Sequence, residues 1–199
     1  TRSSSKYVLE CLDRAHHLSC ENKIVGFINC AIDKKRNFKF KKMGVTEYLS
    51  KKSKLNNTEV MMIYNKKLSV VPLTTHISIK KVSSSLNKSL IHKKVVTIYK
   101  NYKKIFKINP KIAVLGLNPH NDEFRAYSEE KKIILPAIIK LKKQKYNVSG
   151  PFSADTIFMD LKKYNIILGM YHDQVLTPFK ALFKFDAINI TLGLKYLRV

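Results

Sequence analysis

The sequence predicts a layered α/β fold, and its patterning supplies the grounds. Short apolar runs recur along the chain, from IVGFINCAI (24–32) to AINITL (187–192). Segments with helical spacing separate them, and strands alternating with helices pack as layers. A hydrophobic fraction of 45% over 199 residues supplies enough apolar surface for a core.

Residues 6–20 place Val8, Cys11, Leu12, Ala15 and Leu18 on one helical face. The run 24–32 is short enough for a buried strand. A Lys-rich segment, 34–54, follows and contains Gly44-Val45-Thr46-Glu47. EVMMIY (59–64) and LSVVPLTT (68–75) are the next strands. Asn87 caps a helix to about Lys107, with Ile91, Val95, Ile98, Tyr102 and Ile105 as its buried stripe. KIAVLGL (111–117) is a strand running into Asn118-Pro119-His120. Ser128, Glu129 and Glu130 open a helix to about Gln144, bent at Pro136. IILGM (166–170) is a strand ending at Tyr171-His172-Asp173-Gln174, and 187–192 is the last. There is no internal repeat and no low-complexity linker. The chain reads as a single continuous α/β body over 1–199.

Charge is the other marked feature. The chain carries 38 Lys plus Arg against 14 Asp plus Glu, a formal net charge of +24. Such a surplus is the footprint of a phosphate-backbone binder. Its make-up argues otherwise. The excess is 33 Lys with 5 Arg, beside 20 Ile and 14 Asn, the signature of AT-rich codon usage. Readers of bases and phosphates favour the planar Arg fork. The surplus is also spread over both halves rather than gathered in a block. A nucleic-acid partner is therefore not expected. No run of about 18 apolar residues occurs, so no membrane span is expected, and no secretory leader is read. Cys11, Cys20 and Cys30 show no C-x-x-C spacing, which suits free thiols in a reducing cytoplasm.

Ligands of open α/β sheets gather beyond the carboxyl ends of strands. His76 follows VVPLTT, His120 follows IAVLGLNP and His172 follows IILGMY, so three of six histidines sit at such ends. Three imidazoles make a divalent-metal site that keeps positions open for substrate. His16, His17 and His92 fall inside helices instead. Asp173 adjoins His172 and suits an orienting carboxylate. Asp155, in GPFSADT, suits proton transfer or a helix cap. Lys180, Asn189 and Arg198 supply two cations and an amide for an anion.

Together these strings resemble a known family. LNPH (117–120), GPFSADTIF (150–158), GMYHDQ (169–174) and NITLGL (189–194) are similar, in order and spacing, to 4-hydroxythreonine-4-phosphate dehydrogenases of pyridoxal phosphate biosynthesis. TTHI (74–77) and GVTE (44–47) add to the match. The resemblance implies the fold of isocitrate and isopropylmalate dehydrogenases, incomplete here at both ends. It implies a homodimer with the site at the subunit interface. It places a divalent metal (zinc, magnesium or cobalt) on His76, His120 and His172. Substrate contacts fall on Thr46, Lys180, Asn189 and Arg198, and catalytic assistance on Asp155 and Lys180. The implied reaction is oxidation of 4-phosphohydroxy-L-threonine by NAD or NADP, with metal-assisted decarboxylation to 3-amino-2-oxopropyl phosphate. No cofactor-binding residue is identified, because no glycine-rich phosphate loop is present.

The departures are specific. Val45 stands where the family's G-H-T-E string has His. Ala31 and Asp33 replace the proline and asparagine of its T-A-P-I-N-K string, though Lys34 remains. The loop after His120, NDEFRAYSEE, lacks the family's glycines. Neither the G-D-P-A-G-I-G nor the D-H-G-T-A string occurs in these residues. Two other readings follow: an inactive remnant that keeps metal or phosphate binding, and a basic nucleic-acid-binding protein.

Overall fold

A computed structural model describes residues 2–33, 44–55 and 58–199. The chain divides into two compact units. One is Thr1–Glu59 with Ile190–Val199, the other Val60–Asn189. Lys34 lies outside the described residues, as does much of the Lys-rich segment.

The first unit holds helix α1 (Arg2–Cys20), strand β1 (Gly26–Phe27) and helix α2 (Val45–Lys52). Glu47 caps α2 by accepting the Gly44 backbone N–H at 2.8 Å, half of a capping box. The unit's core is Leu12, Val45, Leu49, Leu194 and Tyr196. The expected 24–32 strand is reduced to Gly26–Phe27, with Val25 and Asn29 adding backbone hydrogen bonds at its ends. Val25 and Ile28 are largely exposed, so the run does not form the buried strand expected from its hydrophobicity.

The second unit carries a five-stranded sheet. In chain order its strands are β2 (Val60–Tyr64), β3 (Ser69–Pro72), β4 (Ile112–Leu115), β5 (Val148–Phe152) and β6 (Ile166–Gly169). Across the sheet the order is β2-β3-β6-β4-β5. Strands β2 and β3 form an antiparallel hairpin, and the remaining neighbours are parallel. Every residue of β3, β4 and β6 is buried, which is why these strands are continuous apolar runs rather than alternating ones.

Helices layer this sheet. A short helix, α3 (Val82–Ser85), precedes α4 (Lys88–Phe106). Asn87 caps α4 as expected, its side chain accepting the Leu90 N–H at 2.9 Å. The segment 129–143 differs from one continuous α-helix. Glu130–Ile134 is a π-turn, and α5 (Leu135–Lys143) begins with Pro136 in its first turn. Proline lacks an N–H, so a wider turn ahead of it leaves no i−4 carbonyl waiting for that donor. Helix α6 (His172–Phe183) sets Val175, Leu176 and Phe179 against Val70, Ala113, Leu115 and Ile167 on one sheet face. Successive strand residues point to opposite faces. The fully buried Ile112, Val114, Ile166 and Leu168 therefore need a second layer, supplied by α4 and α5.

Two further strands close the chain, β7 (Ile188–Leu192) and β8 (Leu197–Arg198). In the first unit β8 pairs with β1 in parallel and with the Thr191 end of β7 antiparallel. Strands β5 and β8 and helices α2 and α6 were not apparent from periodicity. Each is either very short or interrupted by polar, glycine or proline residues. Among the described residues, no helix is long and apolar enough to cross a membrane.

Candidate functional site

Parallel pairing puts the carboxyl ends of β3, β6, β4 and β5 on one edge of the second unit's sheet, in that order. Each end runs into a residue singled out from sequence: His76 after β3, His172 after β6, His120 after β4 and Asp155 after β5. Neighbouring strands are about 4.8 Å apart. His76 and His172 therefore adjoin, and their ring centroids stand 6.1 Å apart. His120 stems from the next strand over. Among the described residues, no three His, Cys, Asp or Glu side chains gather closely enough to share an ion. Two of the three expected ligands are thus brought together within one chain, and His120 is not.

The pair fits a transition metal. A ligating nitrogen sits about 2 Å from zinc, which puts each ring centroid about 3 Å from the ion. Rings 6.1 Å apart can bind one ion between them. His172 is also oriented for it. Its Nδ1 lies 2.7 Å from Asp173 Oδ1. A carboxylate only accepts, so Nδ1 is the donor here, which leaves Nε2 as the ring nitrogen a metal would take from a neutral imidazole.

The strand ends are tied to one another. Thr74 hydroxyl donates to the Met170 carbonyl at 2.7 Å, joining the His76 loop to the end of β6. Gln174 accepts the Met170 N–H at 2.6 Å and donates to the Gly116 carbonyl at 2.7 Å. One side chain thereby links the loops that carry His172 and His120. This explains the glutamine of the GMYHDQ string.

The loop after β4 has unusual backbone. His120, Asn121, Asp122, Glu123 and Phe124 all have φ between 45° and 57°. This left-handed region suits glycine, and no residue in the stretch is one. The loop takes a conformation that favours glycine without containing one. Glu130, which sequence reasoning placed only in a helix first turn, is fully buried beneath this loop. It accepts the backbone N–H groups of Leu117 and Asn118 at 2.7 and 2.8 Å. Its neighbour Glu129 accepts from Ser83 and from Asn118 Nδ2. Burial raises the Glu129 carboxyl, but these hydrogen bonds outweigh it and hold the group below its ordinary range.

The first unit gathers a second group of expected residues. Arg198, 7% exposed, donates from Nε to Asn29 Oδ1 at 2.8 Å. Its Nη1 reaches Thr191 Oγ1 at 2.9 Å and Thr46 Oγ1 at 3.3 Å. Burial lowers the guanidinium below its ordinary value, while the charges of Glu47 and Tyr196 work against that. Thr46 sits at the second position of α2, where the helix dipole favours an anion. Val45 beside it packs into the apolar core. Asn29 and Thr191 were not named from sequence, although both flank motif residues.

The three remaining expected residues are exposed. Lys180 is exposed on α6, eight residues beyond His172. At 1.5 Å per residue the two backbones are about 12 Å apart along the helix. Asn189 is exposed on β7. Asp155 is exposed after β5, and the cap position of the following 3-10 turn is taken by Thr156.

Strand-end histidines, a carboxylate oriented on one of them and a buried arginine–threonine cluster define a layered α/β protein of the dehydrogenase-like class. The comparisons specify which. The family model described as pyridoxal phosphate biosynthetic protein PdxA matches residues 1–199, and the chain belongs to that family. It is 40% identical over 201 residues to 4-hydroxythreonine-4-phosphate dehydrogenase of Aquifex aeolicus, covering 98% of this chain and 62% of that protein. It is 42% identical over 205 residues to the Wigglesworthia glossinidia brevipalpis protein of the same name, covering 98% and 60%. The crystal structure of the Klebsiella pneumoniae 4-hydroxythreonine-4-phosphate dehydrogenase superposes with a TM-score of 0.89 at 29% identity, covering 100% of this chain and 62% of that one. A terephthalate 1,2-cis-dihydrodiol dehydrogenase from Burkholderia xenovorans LB400 shares the fold, with a TM-score of 0.79 at 18% identity. The chain spans about three fifths of the length of these relatives.

Proposed function

We propose that this chain works as a 4-hydroxythreonine-4-phosphate dehydrogenase in the cytoplasm. The reaction is oxidation of 4-phosphohydroxy-L-threonine by NAD or NADP, with decarboxylation to 3-amino-2-oxopropyl phosphate. The observation that carries this reading is the placement of His76, His172 and His120 beyond adjacent parallel strands, in a chain of this family. His76, His120 and His172 would hold a divalent metal, which would supply Lewis-acid polarisation of the substrate hydroxyl, and a nicotinamide would supply the hydride acceptor. Zinc, cobalt and magnesium are the candidates, and imidazole donors favour the first two.

The chain's own residues supply position and charge. As the family resemblance implies, Thr46, Lys180, Asn189 and Arg198 are the substrate contacts, and the Arg198–Thr46 pair of the first unit suits an anionic group. Asp173, 2.7 Å from His172 Nδ1, would leave Nε2 as the nitrogen that holds the metal. Lys180 or Asp155 takes the hydroxyl proton. A homodimer with the site at the subunit interface, as the family resemblance implies, is the assembly in which these residues act.

The test is NADH or NADPH formation from 4-phosphohydroxy-L-threonine with added zinc, cobalt or magnesium. Turnover is expected for the full chain, and its loss for His120→Ala and Arg198→Ala. Val45 favours the second reading, a remnant that binds without turnover. It packs in the apolar core where the family's histidine would offer a hydrogen bond. Folded, metal-loaded protein without turnover would establish that reading instead.

A further inference from the structure

Glu130 is a charge the proposed chemistry does not use, buried to 0% exposure. An unpaired buried carboxylate is costly, so its partners show what it is for. Those partners are three neutral N–H groups, all on the loop between β4 and His120. Oε1 accepts from Leu117 N at 2.7 Å and Asn118 N at 2.8 Å. Oε2 accepts from Asn118 Nδ2 at 3.1 Å. Among the described residues no Lys or Arg forms an ion pair with it, in a chain with 33 Lys.

The loop needs such an anchor. His120 follows Asn118 and Pro119, and it opens the run of left-handed residues that ends at Phe124. Residues with a Cβ disfavour that conformation. Asn121 N returns to the Asn118 carbonyl at 3.1 Å, so the residue Glu130 grips also closes the turn around His120. The anchor is fitted closely. A Cβ at Gly116 would stand 3.0 Å from Glu130 Oε1 and 2.1 Å from Asn121 Oδ1. Glu130 itself lies in the π-turn of Glu130–Ile134, a local widening that often marks functional positions.

We infer that Glu130 is the positioning residue for His120, its buried carboxylate holding the loop so that the imidazole is presented to a divalent cation. The inference rests on the reading of His120 as a metal ligand. A glutamine at 130 can still accept both backbone N–H groups, but without charge, and its amide turns a donor toward Asn118 Nδ2. An alanine removes all three bonds.

The experiment measures zinc affinity of the metal-free full chain by competition with a chromophoric chelator. It compares the unaltered protein with Glu130→Gln, Glu130→Ala and His120→Ala, with circular dichroism and thermal melts as folding controls. Loss of an outer partner of a metal ligand typically costs about 10- to 100-fold in affinity. Glu130→Gln is expected near the lower figure and Glu130→Ala near the upper. The cobalt(II)-loaded Glu130→Gln protein should show a shifted visible absorption band. If Glu130→Ala does not fold, Glu130→Gln carries the test. Unchanged zinc affinity in folded Glu130→Gln, alongside weakened binding in His120→Ala, overturns this inference alone and leaves a purely structural cap. Unchanged affinity in His120→Ala overturns the metal reading and this inference with it.

Discussion

Asp13 shows how one side chain couples local structure to pH. It accepts from Tyr48 Oη at 2.5 Å and pairs with Lys52 at 2.9 Å, joining α1 to α2 within the first unit. Burial raises its carboxyl, but the Tyr48 and Lys52 hydrogen bonds and the Lys52 charge outweigh that and leave it below its ordinary 3.8. A depressed folded value adds stability above the unfolded value, and that stability is lost as pH falls through the folded one. Asp13→Asn should therefore lower the urea midpoint at neutral pH, with the gap closing as pH drops below 3.8. A gap that stays constant across that window would show that Asp13 acts only by shape. Residue types at motif positions were the most legible part of this chain. Thr46 and Arg198, named from sequence 152 positions apart, are joined by a hydrogen bond. Their partners Asn29 and Thr191 were not legible, since an amide and a hydroxyl beside a motif carry no signal until the backbone brings them within reach. Glu130 was hidden for a related reason: an acid in a helix first turn ordinarily faces solvent and the dipole.

At the scale of elements, agreement follows burial. Helix α4 was legible because its stripe of Ile91, Val95, Ile98 and Tyr102 is buried and its cap is a real hydrogen bond. Strands β3, β4 and β6 were legible because central parallel strands bury both faces. Strand β8 spans two residues and leaves no periodicity to read. The left-handed turn after His120 could not be read at all, because its sequence lacks the glycines that would announce it. That turn makes a stability prediction. A left-handed residue with a Cβ pays about 1–2 kcal/mol, while glycine pays about 0.5–1 kcal/mol in chain entropy. Among the described residues the Glu123 side chain, at φ 49°, pairs with Arg125 beside it, an exposed pair of little worth. Glu123→Gly should then stabilise the protein by about 0.5–1 kcal/mol, read as a higher urea midpoint. A lower midpoint would mean that the Arg125 contact outweighs the backbone strain.

For the molecule as a whole, the surplus of positive charge has a physical consequence that does not depend on any partner. A net charge of +24 on 199 residues repels itself in the folded state more than in an expanded one. The described ion pairs do not offset this. They are few, and most are exposed or between residues close in sequence. Like-charge repulsion among surface lysines therefore dominates the long-range electrostatics. The Debye length falls from about 30 Å at 0.01 M salt to about 8 Å at 0.15 M, so added salt screens the repulsion across the molecule while leaving buried contacts such as Glu130 nearly untouched. The melting temperature should rise as sodium chloride is raised over that range. Phosphate should raise it further than chloride at equal ionic strength if Arg198 and Thr46 bind it, because a ligand specific to the folded state adds its own binding energy. A melting temperature that falls with salt would assign the surplus lysines to stabilising pairs. A phosphate effect that survives Arg198→Ala would place the anion on the lysine surface rather than in the arginine–threonine cluster.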